Sequence, residues 1–123
     1  MNHTDVPEIP ATAEYAVIFT SLLSGEDQES YNQVAERLDQ MVQVAPGYCG
    51  MHSTRGSDGL GITVSYWTSH EAIRRWRLQA EHLLAQRMGR HQWYRYYQIH
   101  VARIERRYTH QQKPTSLDLS VEL

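Results

Sequence analysis

His82 and the aromatic residues around it are the side chains of this chain best suited to chemistry. An imidazole changes protonation near neutral pH, so His82 could take or hold a proton from a bound ligand. The segment His82 to Tyr108 also carries His91, Trp93, Tyr94, Tyr96 and Tyr97 in close succession. The chain has 8 Tyr and 3 Trp against 1 Phe. Tyr and Trp join an apolar body to a polar tip, so this balance favours half-wet pockets and interfaces over a dry core. Trp67, Trp76, Trp93, Tyr66 and Tyr97 are the candidate walls of a small-molecule site. Tyr66 and Tyr97 would bring hydroxyls, and Arg95 a charge to balance an anionic ligand. Core packing for Trp76 and a subunit seam for Trp93 are the competing readings.

Other chemistries find little support. The chain's 7 His include no pair at HxxxH or HxH spacing beside a carboxylate, so no metal site is expected. His52 and His100 are the one pair that could approach across strands. The run Gly56 to Gly61 falls in a hairpin rather than before a helix, so it is no nucleotide loop. Cys49 has no neighbouring cation to activate it and reads as a small buried hydrophobe. A single Cys excludes an intramolecular disulfide and suits a reducing cytoplasm. No 18-residue apolar run and no apolar leader occur, so neither a membrane span nor a secretory signal is expected. Net charge is −2 but uneven: residues 1–69 hold nine acids and two Arg, residues 70–108 nine Arg and three Glu. Acidic and basic faces that meet within the fold or across a dimer would explain this, as would an anionic ligand. A negative net charge without a recognition motif argues against nucleic acid.

The elements that must position these residues follow from periodicity. Residues 1–13 read as a loose N-terminal arm. Tyr15 to Leu23 is rich in β-branched and aromatic residues and reads as a strand. Tyr31, Val34, Ala35, Leu38, Met41 and Val42 then recur at helical spacing, a stripe on a helix of about 16–18 residues. Pro46-Gly47 stops it. Strands follow at Tyr48 to Arg55, with Gly50 marking a bulge or a close approach, and at Leu60 to Trp67, across a Gly56–Gly59 turn. Thr68 to Glu71 fits a capping box with Thr68 as the cap. A second helix is predicted from Ser69 to about Met88, ended by Gly89, on a stripe of Ile73, Trp76, Ala80, Leu83 or Leu84, and Met88. Trp93 and Tyr94 open a long last strand that runs to Tyr108. Residues 109–123 read as a C-terminal arm whose alternating Leu117, Leu119, Val121 and Leu123 would pack on this or a partner subunit.

The order β-α-β-β-α-β is that of a ferredoxin-like α+β fold: a four-stranded antiparallel sheet with helices on one face. The other sheet face stays apolar, with Ile18, Tyr66 or Ile99 as candidates, and needs a cover. The simplest cover is the same face of a second copy, a homodimer.

Particular residues resemble a known family. The Tyr66-Trp67-Thr68-Ser69 exit from the third strand, the His70-Glu71-Ala72 helix start and Trp76 resemble the antibiotic biosynthesis monooxygenase (ABM) domain. So do His82, Gly89-Arg90, Trp93-Tyr94 and the closing Ile104 to Tyr108. The likeness spans residues 14–108 and is most specific from Tyr66 onward. It implies the dimeric α/β-barrel fold, in which two sheets pack face to face, and O2-dependent oxidation of phenolic polyketides without a cofactor. An activated phenolate can give an electron to O2 without a metal or flavin. His82 would then be the proton acceptor. The family's haem-degrading branch implies an Asn on the first strand and a His about ten residues beyond the helical Trp. Here the first strand has no Asn and Gln86 stands at the second position, so haem breakdown is disfavoured. The rival from another class is a non-catalytic dimer that binds a small aromatic or serves as a scaffold. On a straight helix His82 would face away from the apolar stripe, so the catalytic reading requires a helix break near Arg77 to Gln79.

Overall fold

The structure, a computed structural model, describes residues 8–87 and 90–112. Strand β1 (Tyr15–Leu23) leads into helix α1 (Gln28–Val42), then the hairpin β2 (Tyr48–Arg55) and β3 (Leu60–Trp67). Helix α2 (His70–Arg87), a short helical turn α3 (Arg90–Trp93) and strand β4 (Tyr94–Arg103) complete the order. The four strands form one sheet in the order β2-β3-β1-β4, with every neighbour antiparallel. This is the ferredoxin-like arrangement expected from the sequence. β1 sits inside the sheet because its β-branched and aromatic residues tolerate cover on both faces.

Cross-strand partners share a face, so the register assigns every side chain. Val17 pairs with Ser65 and Val101, and Phe19 with Thr63 and Ile99, on the face toward the helices. Ile18 pairs with Val64 and His100, and Ala16 with Tyr66 and Ala102, on the open face. Ile99, offered above as an open-face residue, therefore lies on the helix side. The open face carries Ile18, Val64 and Tyr66, together with Leu60, Ile62 and Tyr96, each about half exposed.

Several boundaries depart from expectation. β4 ends at Arg103 rather than Tyr108, because its partner β1 begins at Tyr15 and the chain ahead of Glu14 turns away at Ala11-Thr12. The Ile104 amide donates to the Glu14 carbonyl, and Arg107 then donates to the carbonyls of Ile9 and Ala13. Residues 8–13 are thus tied down, and Ala13 is buried. The Trp93 side of the last strand is a helical turn rather than extended chain. Ser69, not Thr68, caps α2: its hydroxyl accepts the Ala72 amide at 3.1 Å. Gly50 does sit at a register shift, with φ 131°. His52 and His100 lie on strands at opposite edges of the sheet, so they do not meet. The predicted stop at Met88-Gly89, residues 1–7 of the N-terminal arm and residues 113–123 of the C-terminal arm lie outside the described residues. Among the described residues the one ion pair is Arg75–Glu71 at 3.8 Å, within α2 and exposed, so within the chain the described acidic and basic residues do not neutralise each other by contact.

The core lies at one end of the sheet. Val42 at the end of α1, Trp67 at the end of β3 and Ala72 at the start of α2 meet there, all buried. Gly47 makes this meeting possible. Its φ is +84°, and a Cβ there would lie 2.4 Å from the Ala72 Cβ and 2.8 Å from the Thr68 hydroxyl. We predict that Gly47→Ala destabilises the fold by about 2–4 kcal/mol, combining a left-handed backbone with overpacking. A fall in the urea midpoint at unchanged slope would show it.

Candidate functional site

A cavity of about 590 Å³ lies between the sheet and the two long helices. It is bounded at one end by the Trp67 core and at the other by a second aromatic group. That group joins Tyr31 of α1, edge-on to Trp93 and to Tyr94, with Phe19 and Tyr97 packed beside Tyr94. Trp93 is held inward because the Ser24 amide donates to its carbonyl at 2.7 Å, while the Ser24 hydroxyl donates to the Gln92 carbonyl at 2.6 Å. Between the two groups some of the lining side chains are short. Thr63 and Ser65 of β3 and Ala80 of α2 all line the cavity, and larger residues at these positions would take up part of the space.

The floor of the cavity is Val17 and Phe19 from β1, with Met51 from β2. Leu38 and Val42 close the α1 side, and Ile73, Trp76 and Leu84 the α2 side. The mouth is identified by residues that both line the cavity and meet solvent. They are Tyr97, Ile99 and Val101 of β4, at 38%, 53% and 49% exposure, and Arg77 and Glu81 of α2. The helices cover β2, β3 and β1 but leave the β4 edge open. The lining is mostly apolar, as expected of a site for a small organic ligand.

The sequence-predicted residues divide into three groups. Trp76 and Tyr97 line the cavity. Trp67 and Trp93 are buried at 0% and 2% exposure and stand behind the two ends. Trp67 stacks on Trp76, with ring centroids 6.3 Å apart and planes at 27°, and its indole N–H donates to the Ser65 hydroxyl at 2.9 Å. The Trp93 indole N–H has no acceptor among the described residues. Tyr66 is on the open face, where its hydroxyl meets His52 Nδ1 at 3.3 Å, so it cannot share a cavity with Tyr97. His82 is exposed: α2 runs unbroken through Arg77 to Gln79, and the turn that would have aimed His82 inward is absent. Arg95 is also exposed.

Two cavity residues escaped the sequence reading. Arg77 and Glu81 fall at helical spacing among Ile73, Trp76, Ala80 and Leu84, and charges on an apolar stripe were the available signal. Below the site, the Tyr48 phenol packs edge-on against Trp67. Burial, and then the charge of Asp39, push it above the ordinary tyrosine range. Among the described residues no three His, Cys, Asp or Glu converge, and no helix is long and apolar enough to cross a membrane.

No family model matches the chain. The uncharacterised protein YqjZ of Bacillus subtilis (strain 168) is 44% identical over 97 residues, 79% of this chain and 84% of that one. Among solved structures, SnoaB, a cofactor-independent oxygenase from Streptomyces nogalater, superposes with a TM-score of 0.58 at 17% identity. The match covers 85% of this chain and 99% of SnoaB. A protein of Nitrosomonas europaea described as a candidate antibiotic biosynthesis monooxygenase gives a TM-score of 0.62 at 9% identity, over 76% of this chain and 91% of its own. At these identities the two structures establish the fold.

Trp67 and Trp76 should separate on substitution. Trp67→Ala removes a wholly buried ring and is expected to cost about 3–5 kcal/mol, whereas Trp76→Ala opens an existing cavity and is expected to cost about 2 kcal/mol. Urea unfolding of both variants checks this, and equal losses would place Trp76 in the core rather than in the wall.

Proposed function

We propose that the chain, a relative of YqjZ with the fold seen in antibiotic biosynthesis monooxygenase (ABM) proteins, is a cofactor-independent monooxygenase of a phenolic aromatic small molecule. The observation that carries this reading is the cavity. It is apolar, walled by aromatic rings, large enough for a fused-ring ligand and open along β4. A non-catalytic scaffold would have no use for unfilled space there, since filling it would add packing energy. SnoaB, which shares the fold, is a cofactor-independent oxygenase, and this supports the same chemistry here. Trp76 and Tyr97 would flank the ring system, while Phe19 and Tyr94 would close its far end. His82 stands outside the cavity wall, so the proton acceptor is sought elsewhere.

We further propose a homodimer through the open sheet face. The half-exposed Ile62, Leu60 and Tyr96, with Ile18 and Val64 between them, make a continuous apolar surface whose simplest cover is its own copy. The lone Cys49 suits a cytoplasmic setting.

Oxygen uptake with a panel of anthrones and hydroquinones tests the activity. Turnover is expected from the parent protein, and Ala80→Trp, which fills the cavity, is expected to lower it about a hundredfold through lost positioning. His82→Ala is expected to stay close to the parent; loss of turnover in that variant would return the catalytic role to His82. Tight binding of these compounds with no oxygen consumed would favour the non-catalytic binder. For the dimer, Val64→Asp would bury an unpaired charge in the seam at a cost of several kcal/mol, and light scattering is expected to report a monomer.

A further inference from the structure

We propose that Arg77 and Glu81 form a polar clamp at the mouth of the cavity that selects an aromatic phenol and holds it hydroxyl outward, with Arg77 stabilising its anion. This rests on the reading of the cavity as an aromatic ligand site. The observation is one of contrast. Every ionisable side chain facing the cavity sits at its mouth or its far aromatic end: Arg77 and Glu81 on α2, Tyr97 and Tyr94 on β4. The walls contributed by α1, β1, β2 and β3 are apolar or carry only hydroxyls, such as Thr63 and Ser65. An amphipathic ring system therefore has one favourable orientation, rings inward and its charged or ionisable oxygen at α2.

Position and spacing support the assignment. Arg77 and Glu81 are one helical turn apart, so their side chains project side by side, about 5–6 Å apart at Cβ. They are not consumed by each other: among the described residues neither makes an ion pair. Their order, cation before anion, is also the weaker one for a pair within a helix, because it opposes the helix dipole. Both are exposed on their solvent side while facing the cavity, so neither pays a full desolvation cost in the empty protein. A neutral phenol could donate its hydroxyl hydrogen to the Glu81 carboxylate. When the O–H bond breaks, the proton passes to that carboxylate and the electron pair stays on the phenol oxygen, facing the Arg77 guanidinium. No electron is transferred in this step. It prepares the electron-rich phenolate that the proposed oxidation needs.

The test uses 7-hydroxycoumarin, a bicyclic phenol whose neutral and anionic forms are excited at different wavelengths, with coumarin as the analogue lacking the hydroxyl. Bound 7-hydroxycoumarin is titrated by fluorescence in the parent protein and in Arg77→Gln, Glu81→Gln and Arg74→Gln. Arg74 is exposed on α2 and absent from the cavity wall, so it controls for bulk charge. Arg77→Gln is expected to raise the apparent pKa of the bound probe by about one unit, the low end of what a cation within 4–6 Å does. Glu81→Gln is expected to lower it, and Arg74→Gln to leave it nearly unchanged. An Arg77→Gln value equal to the parent's, or equal shifts from Arg77→Gln and Arg74→Gln, would overturn the clamp while leaving the cavity reading intact. Failure of both coumarins to bind the parent protein would overturn the cavity reading and the clamp together.

Discussion

The stack of Trp67 on Trp76 is the contact on which the site depends. Trp67 closes β3, is wholly buried, and spends its N–H on Ser65 two residues back in its own strand. A ring that large at the junction of α1, β3 and α2 anchors one end of both helices and sets their height over the sheet. At the opposite end Trp93 does the same work, fixed from below by Ser24 and from the side by Tyr31. Two bulky rings hold the layers apart at the ends, and the residues between them, Thr63, Ser65 and Ala80 among them, do not fill the gap. The space between them is the cavity, a consequence of residue sizes rather than of any loop or lid.

The same sheet imposes a second constraint. Four strands have two faces, and one chain has helices for only one of them. The register puts Val17, Phe19, Thr63 and Ser65 toward the helices and Ile18, Ile62, Val64 and Tyr66 away from them. A ligand in the cavity and a second copy on the open face would therefore use opposite faces of the same strands. A change of one residue in register would exchange the two sets, which is why the β1 pairings matter to function as well as to stability.

Charge is placed with similar economy. Among the described residues of the single chain, no ion pair joins the arginine-rich second half to the acidic first half, and the one described pair is an exposed contact within α2. Arg107 instead ties the N-terminal segment through backbone carbonyls, and Arg55 crosses the sheet to the Ser21 hydroxyl at 2.7 Å. Arg77 and Glu81 remain at the cavity rim, where charge can act on a ligand.

What the sequence determined by itself was periodic or local. Alternation and helical spacing yielded the βαββαβ order, the Gly50 bulge, the Gly56–Gly59 turn and the apolar stripe of α2. Trp76 and Tyr97 line the cavity because each lies on the face of its element that turns toward the other layer. The failures were all matters of what stands opposite. β4 stops at Arg103 because the chain ahead of Glu14 turns away from it, and Ser69 rather than Thr68 caps α2 because its hydroxyl is the one that reaches the Ala72 amide. Tyr66 and Tyr97 carry the same group, yet cross-strand pairing sends them to opposite faces. Only the tertiary structure decided that α2 stays straight, leaving His82 in solvent and bringing Arg77 and Glu81 to the rim. Sequence periodicity specifies which face of a helix is apolar. Which of its flanking residues reach a cavity depends on how far the sheet extends beneath them, and that is settled only when the two layers pack.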